Sequence, residues 1–239
     1  MEWYIGCSGF YYKEWKELFY PKGLPAARWF EYYCNHFNTL EINNTFYRFP
    51  QLKTLQGWYE KSPAPFIFSV KVPRLITHQH QFENTEETLH EFYLLLQDGL
   101  KEKLGPVLFQ LPPQMAYAPA LLDTITSQLH ASFANVIEFR HISWWRPEVQ
   151  QELQRRGIAF CGVSFPGLPD EVMATAPLLY YRFHGVPRLY HSSYGDAYLK
   201  TRVEQAASQS EATRTFLYFN NTASAAALSN ARFVQGIVY

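Results

Sequence analysis

In the stretch Val136-Ile-Glu-Phe-Arg-His-Ile-Ser-Trp-Trp145, an acid and a base stand two residues apart inside an otherwise apolar run. Read as a strand, its side chains alternate between faces, so Glu138 and Arg140 share one face and Ile137 and Phe139 the other. A strand buried on both faces normally carries aliphatic residues on each. The charged pair is therefore either a structural ion pair, which is a weak source of stability, or the edge of a site. The same device recurs along the chain. Taking the polar parity near the end of each apolar run gives Ser8, Glu41, Asn43, Ser69, Lys71, Gln110, Glu138, Arg140, Ser164, Arg182, His184 and Asn220.

These residue types define a chemistry. Lys71, Arg140 and Arg182 against Glu41 and Glu138 leave a small positive excess, and guanidinium groups capture phosphate or carboxylate bidentately. Glu41 and Glu138 are the candidate acid and base, with His184 as a second proton carrier. Asn43, Gln110 and Asn220 are placed to hydrogen-bond a substrate. Tyr47, Trp144 and Tyr194, among a wider set of loop aromatics that includes Tyr11, Tyr12 and Tyr190, offer rings for a sugar face or a nucleobase. A desolvated lysine at Lys71 would also suit a Schiff base.

The same residues admit a plainer account. Glu138 would neutralise Arg140, Glu41 would neutralise Lys71, the rings would pack the rim, and a polar network would plug the interior. No cofactor is called for. A divalent metal would draw on His78, His80, His141, His184, His191 and the two glutamates. However, no histidine pair has zincin spacing, and three cations crowd the same place. Gly6-Cys-Ser-Gly9 is not a nucleophile elbow.

Eight apolar runs must position this set. They are Trp3–Cys7, Thr39–Thr45, Phe66–Val72, Val107–Leu111, the opening stretch at Val136, Ile158–Ser164, Leu178–His184 and Arg214–Asn220. Helical patterns lie between most of them, at about 27–37, 51–61, 84–103, 119–130, 147–157, 196–208 and 224–234. Asn84 with Glu87 resembles a capping box, Asp196 an N-cap, Pro147 a helix start and Gly157 a helix end. Alternating strands and helices imply parallel βα units with right-handed crossovers. Eight of them in 239 residues favour one TIM-like (β/α)8 barrel over 1–239, irregular between strands six and seven where helical pattern is weak. In such a barrel the polar strand ends gather at the C-terminal mouth.

Lys+Arg and Asp+Glu are both 21, which excludes a generally basic nucleic-acid coat but not a local patch. Cys7, Cys34 and Cys161 show no CxxC spacing. With no apolar run of membrane length and no leader pattern, a cytoplasmic protein without a membrane partner is expected. Oligomeric state is not legible.

The motifs are similar to those of the DUF72 family, also called YecE-like. They are Gly6-Cys-Ser-Gly-Phe10 with Trp15 and Phe19-Tyr-Pro21, Glu41-Ile-Asn-Asn-Thr-Phe-Tyr47, Phe68-Ser-Val-Lys71, Gly105 to Pro113, Glu138-Phe-Arg-His141, Tyr181-Arg-Phe-His-Gly185 and Tyr218-Phe-Asn-Asn221. The resemblance covers essentially the whole chain and implies a TIM-like barrel. The family's recurrent positions coincide with Glu41, Asn43, Lys71, Gln110, Glu138, Arg140, Arg182, His184 and Asn220. Ser164 stands where the family commonly has an acid, and the family itself supplies no function.

The leading expectation is an enzyme (a hydrolase, lyase or isomerase) acting on a small anionic, phosphate-bearing sugar or nucleotide. Ordinary glycoside hydrolysis is disfavoured, because strands four and seven end in Gln110 and His184. The first alternative is a nucleic-acid protein with a basic, aromatic rim, whose binding would fall steeply with salt. The second is a small-anion binding module without chemistry, which would tolerate Glu41→Gln or Glu138→Gln. On the leading reading, Arg182→Ala weakens binding and leaves the melting temperature nearly unchanged.

Overall fold

The computed structural model describes residues 1–239. Eight strands form one parallel sheet: β1 (Glu2–Cys7), β2 (Thr39–Ile42), β3 (Ile67–Lys71), β4 (Leu104–Gln110), β5 (Asn135–Glu138), β6 (Ala159–Ser164), β7 (Leu178–Phe183) and β8 (Arg214–Phe219). The order β1-β8-β7-β6-β5-β4-β3-β2 curls the sheet until its two ends meet. The surrounding helices are α1 (Trp29–Cys34), α2 (Leu52–Lys61), α3 (Glu86–Leu100), α4 (Pro119–Gln128), α5 (Pro147–Arg156), α6 (Asp196–Ala207) and α7 (Ala226–Val238). The architecture is a nearly closed TIM-like α/β barrel.

One seam lacks a ladder. β1 and β2 are neighbours but not paired, and side chains bridge them instead. The Cys7 amide donates to the Tyr33 hydroxyl at 2.8 Å, which in turn donates to the Thr39 carbonyl at 3.0 Å. The Ile5 amide donates to Asn38 Oδ1 at 3.0 Å. Gly6 is what allows this approach, since a Cβ there would lie 2.3 Å from the Thr39 carbonyl oxygen.

The alternation of each strand separates two apolar layers. Ile5, Phe68, Val70, Phe109, Ile137, Phe139, Leu179 and Phe183 pack outward against helices. Leu108, Val136, Ala159, Cys161, Val163, Ala176, Leu178, Tyr180, Phe216 and Tyr218 form the interior cluster, with the half-buried Tyr4 and Ile67 packed against it. The outward cluster numbers 52 buried residues and the interior one only 10. The interior is smaller because its upper half is given over to polar side chains. Beneath them Tyr4 stacks on Phe216 at 4.5 Å, and the Tyr218 hydroxyl lies 2.8 Å from Ser69 Oγ.

Several local expectations are met and others corrected. Pro147 does begin α5, and Gly157 closes it in the left-handed region at φ 67°. The Asn84–Glu87 capping box is absent: Thr85 is the N-cap of α3, and its hydroxyl turns to Gln128 instead. Gly195, not Asp196, caps α6. The turn before α3 contains a π-helical segment, Leu75–Gln79.

Between β6 and β7 no helix forms, as the weak pattern implied. Thr175 stitches this linker to β6, accepting from the Phe160 amide at 2.8 Å and donating to the Ile158 carbonyl at 2.7 Å. Asp170 anchors it outward to the hydroxyls of Tyr181 and Tyr198 and pairs with Arg202 at 3.0 Å. No helix is long and apolar enough to cross a membrane.

Candidate functional site

Period-two alternation carries Glu41, Glu138 and Arg182 to one level inside the barrel. Arg182 lies between the two acids. Its Nη2 reaches Glu41 Oε2 at 2.7 Å, and its Nη1 donates to Glu138 Oε2. Arg140 Nε donates to the other oxygen of Glu138. Tyr180 and Asn43 donate to the two oxygens of Glu41, at 2.7 and 2.8 Å. Glu41 and Glu138 are wholly buried and Arg182 is 1% exposed.

Burial alone would raise both carboxyl pKa values. For Glu138, the Arg140 and Arg182 charges override it and hold the group well below the ordinary range. For Glu41, Arg182 and the surrounding hydrogen bonds likewise bring the value below normal. Both acids are therefore anions with no proton to give. His184 is also wholly buried, 3.2 Å from Arg140 Nη2, 3.4 Å from Glu138 Oε1 and 2.9 Å from Asn220 Nδ2. Burial, then the Arg140 charge, push its pKa down to about 3, so it is neutral at physiological pH.

Above this cluster opens a cavity of about 690 Å³. Glu41, Asn43, Lys71, Gln110, Arg182, Asn220 and Tyr47 line it, as do Ser8, Tyr12, Phe46 and Tyr190. Tyr11 (58% exposed), Tyr47 (71%) and Tyr190 (43%) stand at its walls with their rings largely in water. The two arginines and two glutamates cancel, so Lys71 is the cation left over. It forms no ion pair. Its Nζ donates to Gln110 Oε1 at 2.8 Å and sits 4.0 Å from the centre of the Phe46 ring. Burial, reinforced by Arg182, pushes its pKa down to about 7. Three other polar atoms of lining residues are buried without a hydrogen-bond partner: Ser8 Oγ, Asn43 Oδ1 and Arg182 Nε. Ser8 approaches Glu41 but makes no well-formed bond to it. Buried polar atoms are rarely left unpaired, and these three belong to residues that border the same cavity.

Sequence reasoning placed most of the wall and misplaced some of its neighbours. Glu138, Arg140 and His184 join the ionic cluster but do not line the cavity. The expected Glu41–Lys71 pair does not form, because Arg182 takes Glu41. Trp144 does not line the cavity: it is wholly buried, stacks on Phe139 at 4.4 Å and donates its indole N–H to the Met115 carbonyl. Tyr194 is likewise removed from the cavity, holding the Gly185 amide at 2.7 Å and stacking on Tyr198. Ser164 faces outward, since Cys161 and Val163 take the inward parity of β6.

Tyr180 was missed, although its place two residues before Arg182 on β7 puts it on the same face. No group of three or more His, Cys, Asp or Glu side chains is arranged to hold a metal ion.

The barrel and its polar mouth define a TIM-like α/β protein with a ligand-sized C-terminal hollow. Residues 4–238 match the family described as "Protein of unknown function DUF72", and the chain belongs to that family. It is 28% identical over 163 residues to the UPF0759 protein YecE of Escherichia coli K12, a match covering 67% of this chain and 57% of that protein. It is also 28% identical over 159 residues to the UPF0759 protein YunF of Bacillus subtilis 168, covering 62% of this chain and 54% of that protein. The matched region thus spans a little over half the length of these curated relatives. A crystal structure of a DUF72 family protein from Thermotoga maritima superposes with a TM-score of 0.90 at 26% identity, covering 100% of this chain and 99% of that one. A DUF72 protein from Enterococcus faecalis shares the fold, with a TM-score of 0.86 at 20% identity over 99% of this chain and 95% of that one.

Proposed function

We propose that this protein is an enzyme acting by proton transfer on a small, phosphate-bearing sugar or nucleotide bound at the C-terminal mouth of the barrel. One observation carries the reading: a cavity large enough for a metabolite, lined by a lysine that has no ion pair and by the amides of Asn43, Gln110 and Asn220. A cation with amide groups around it complements a guest that has an anionic group and a hydroxyl. Lys71, with a pKa near 7, is the proton carrier on the wall. Glu41 stays an anion beneath the guest and fixes Arg182, Asn43 and Tyr180. Glu138 and His184 act at one remove by fixing Arg182 and Arg140. No cofactor is invoked, and three buried free thiols fit a cytoplasmic setting.

The test is titration calorimetry of the purified chain against a panel of sugar phosphates and nucleotides, with native mass spectrometry of freshly purified protein. Binding of a panel member is expected. It should weaken at least about tenfold in Lys71→Met, one charge-assisted contact being worth roughly 1.5–3 kcal/mol. It should also weaken as pH rises through about 7, where Lys71 loses its charge. No binding by any member, or binding indifferent to Lys71→Met, overturns the reading.

A second reading rests on the rim. Tyr11, Tyr47 and Tyr190 project into water, and Arg48 and Arg74 line a smaller hollow of about 220 Å³ that shares Phe46 and Tyr47 with the main one. Such a surface suits a single-stranded nucleic acid. Anisotropy of a labelled oligonucleotide across a salt series separates the two, since only phosphate-backbone binding falls steeply and linearly on logarithmic axes.

A further inference from the structure

We propose that Lys71 is a nucleophile that condenses with the carbonyl of a phosphorylated aldehyde or ketone held in the cavity. The inference rests on the anion-site reading above and narrows its substrate class.

The molecule contains its own control. Lys103 is also buried, at 5% exposure, but its Nζ is saturated by the Tyr59 carbonyl, the Ser62 carbonyl and Ser62 Oγ at 2.7, 2.7 and 2.9 Å. That is how a structural lysine is accommodated, with every proton given a partner. Lys71 is 9% exposed and has a single hydrogen-bond acceptor, the neutral amide of Gln110. Phe46 covers one side of the amine, and no carboxylate pairs with it although two lie in the same mouth. Both acids are engaged elsewhere, Glu138 by Arg140 and Arg182, and Glu41 by Arg182, Tyr180 and Asn43. The amine is therefore held firmly, left incompletely bonded and aimed into a hollow.

Its backbone is also fixed, because Thr45 Oγ1 donates to the Lys71 carbonyl at 2.6 Å. Burial and the Arg182 charge keep a large fraction of the amine as free base at neutral pH.

The step balances without an oxidant or reductant. The Nζ lone pair forms a bond to the carbonyl carbon, and the C=O π pair moves to oxygen, which takes a proton that the nitrogen sheds. The resulting hydroxyl then leaves as water with a second proton from the nitrogen, as the lone pair closes the C=N bond. Counted from the ammonium form, one ammonium and one carbonyl give one protonated imine and one water. The positive charge at Lys71 is retained beside the anionic group.

The test uses the full chain with glyceraldehyde 3-phosphate and dihydroxyacetone phosphate as probes, in the presence of sodium borohydride. Intact mass and peptide mapping read the outcome. The expected result is one reduced adduct per chain, on Lys71, forming at least about tenfold faster than on any surface lysine, as a desolvated amine should. Glycerol 3-phosphate, which has no carbonyl, should protect it. Lys71→Arg and Lys71→Met, each checked by circular dichroism for a native fold, should abolish it. Labelling of surface lysines with Lys71 unmodified overturns the inference. If glycerol 3-phosphate binds while no adduct forms, the imine falls and the anion site stands. If neither binding nor adduct is seen, both fall.

Discussion

At the scale of single residues, the mouth joins an unusually stable arrangement to an unusually unstable one. Arg182 closes a buried chain of charges from Glu41 through Glu138 to Arg140. Removing one partner of such a chain leaves the others buried and uncompensated, which costs roughly 3–5 kcal/mol. Arg182→Ala should therefore lower the urea midpoint sharply. This reverses the expectation from sequence that the melting temperature would hold, and an unchanged midpoint would contradict the geometry. Lys71 is the opposite case. A buried amine without a counter-ion opposes folding, so Lys71→Met should raise stability by about 0.5–2 kcal/mol while weakening anion binding.

Proton linkage gives a third check. The folded pKa of His184, about 3, lies below its ordinary 6.5, so the unfolded chain binds a proton there that the folded chain refuses. The His184 contribution is then complete above about 6.5 and declines as pH falls toward 3, with the two carboxylates adding the same sign lower down. His184→Gln should flatten the denaturant midpoint between pH 6.5 and 4.5; parallel slopes would reject the assignment. Parity made most of these residues legible from sequence, because a strand's inward set is fixed once one member is known. It failed at Ser164, since Cys161 and Val163 take the inward phase of β6; Trp144, singled out as a loop aromatic, packs against Phe139 instead.

At the scale of elements, strand count and helix spacing were readable because βα units punctuate themselves with Pro and Gly, as Pro147 and Gly157 show. Caps were less readable. Thr85 spends its hydroxyl on Gln128, a tertiary partner 43 residues away that no local window contains. The β1–β2 junction was equally hidden, since two side chains stand where a ladder was expected. Tyr33→Phe strands the buried Cys7 amide and Thr39 carbonyl together and should cost about 1–3 kcal/mol for each orphaned group. Gly6→Ala drives a methyl into the Thr39 carbonyl and should cost a similar 1–3 kcal/mol or so through overpacking. Chemical denaturation of both variants checks this, and wild-type midpoints would show the bridge to be dispensable.

At the scale of the whole molecule, the unladdered junction matters for access. Ser8 follows β1, Glu41 lies on β2 with Asn43 just after it, and all three border the cavity. Their strands are tied by Tyr33 and Asn38, not by main-chain pairing. The barrel is thus a split collar with a side-chain clasp, and the gap lies under the entrance. Widening such a collar breaks a few side-chain hydrogen bonds, whereas widening elsewhere would break rungs between strands. The amides of Ile5 and Cys7 should accordingly exchange deuterium well before those of β7 and β8, and a tightly bound guest should slow them. If the proposed guest binds across this seam, it would supply from outside the stiffness that a ladder supplies elsewhere in the ring.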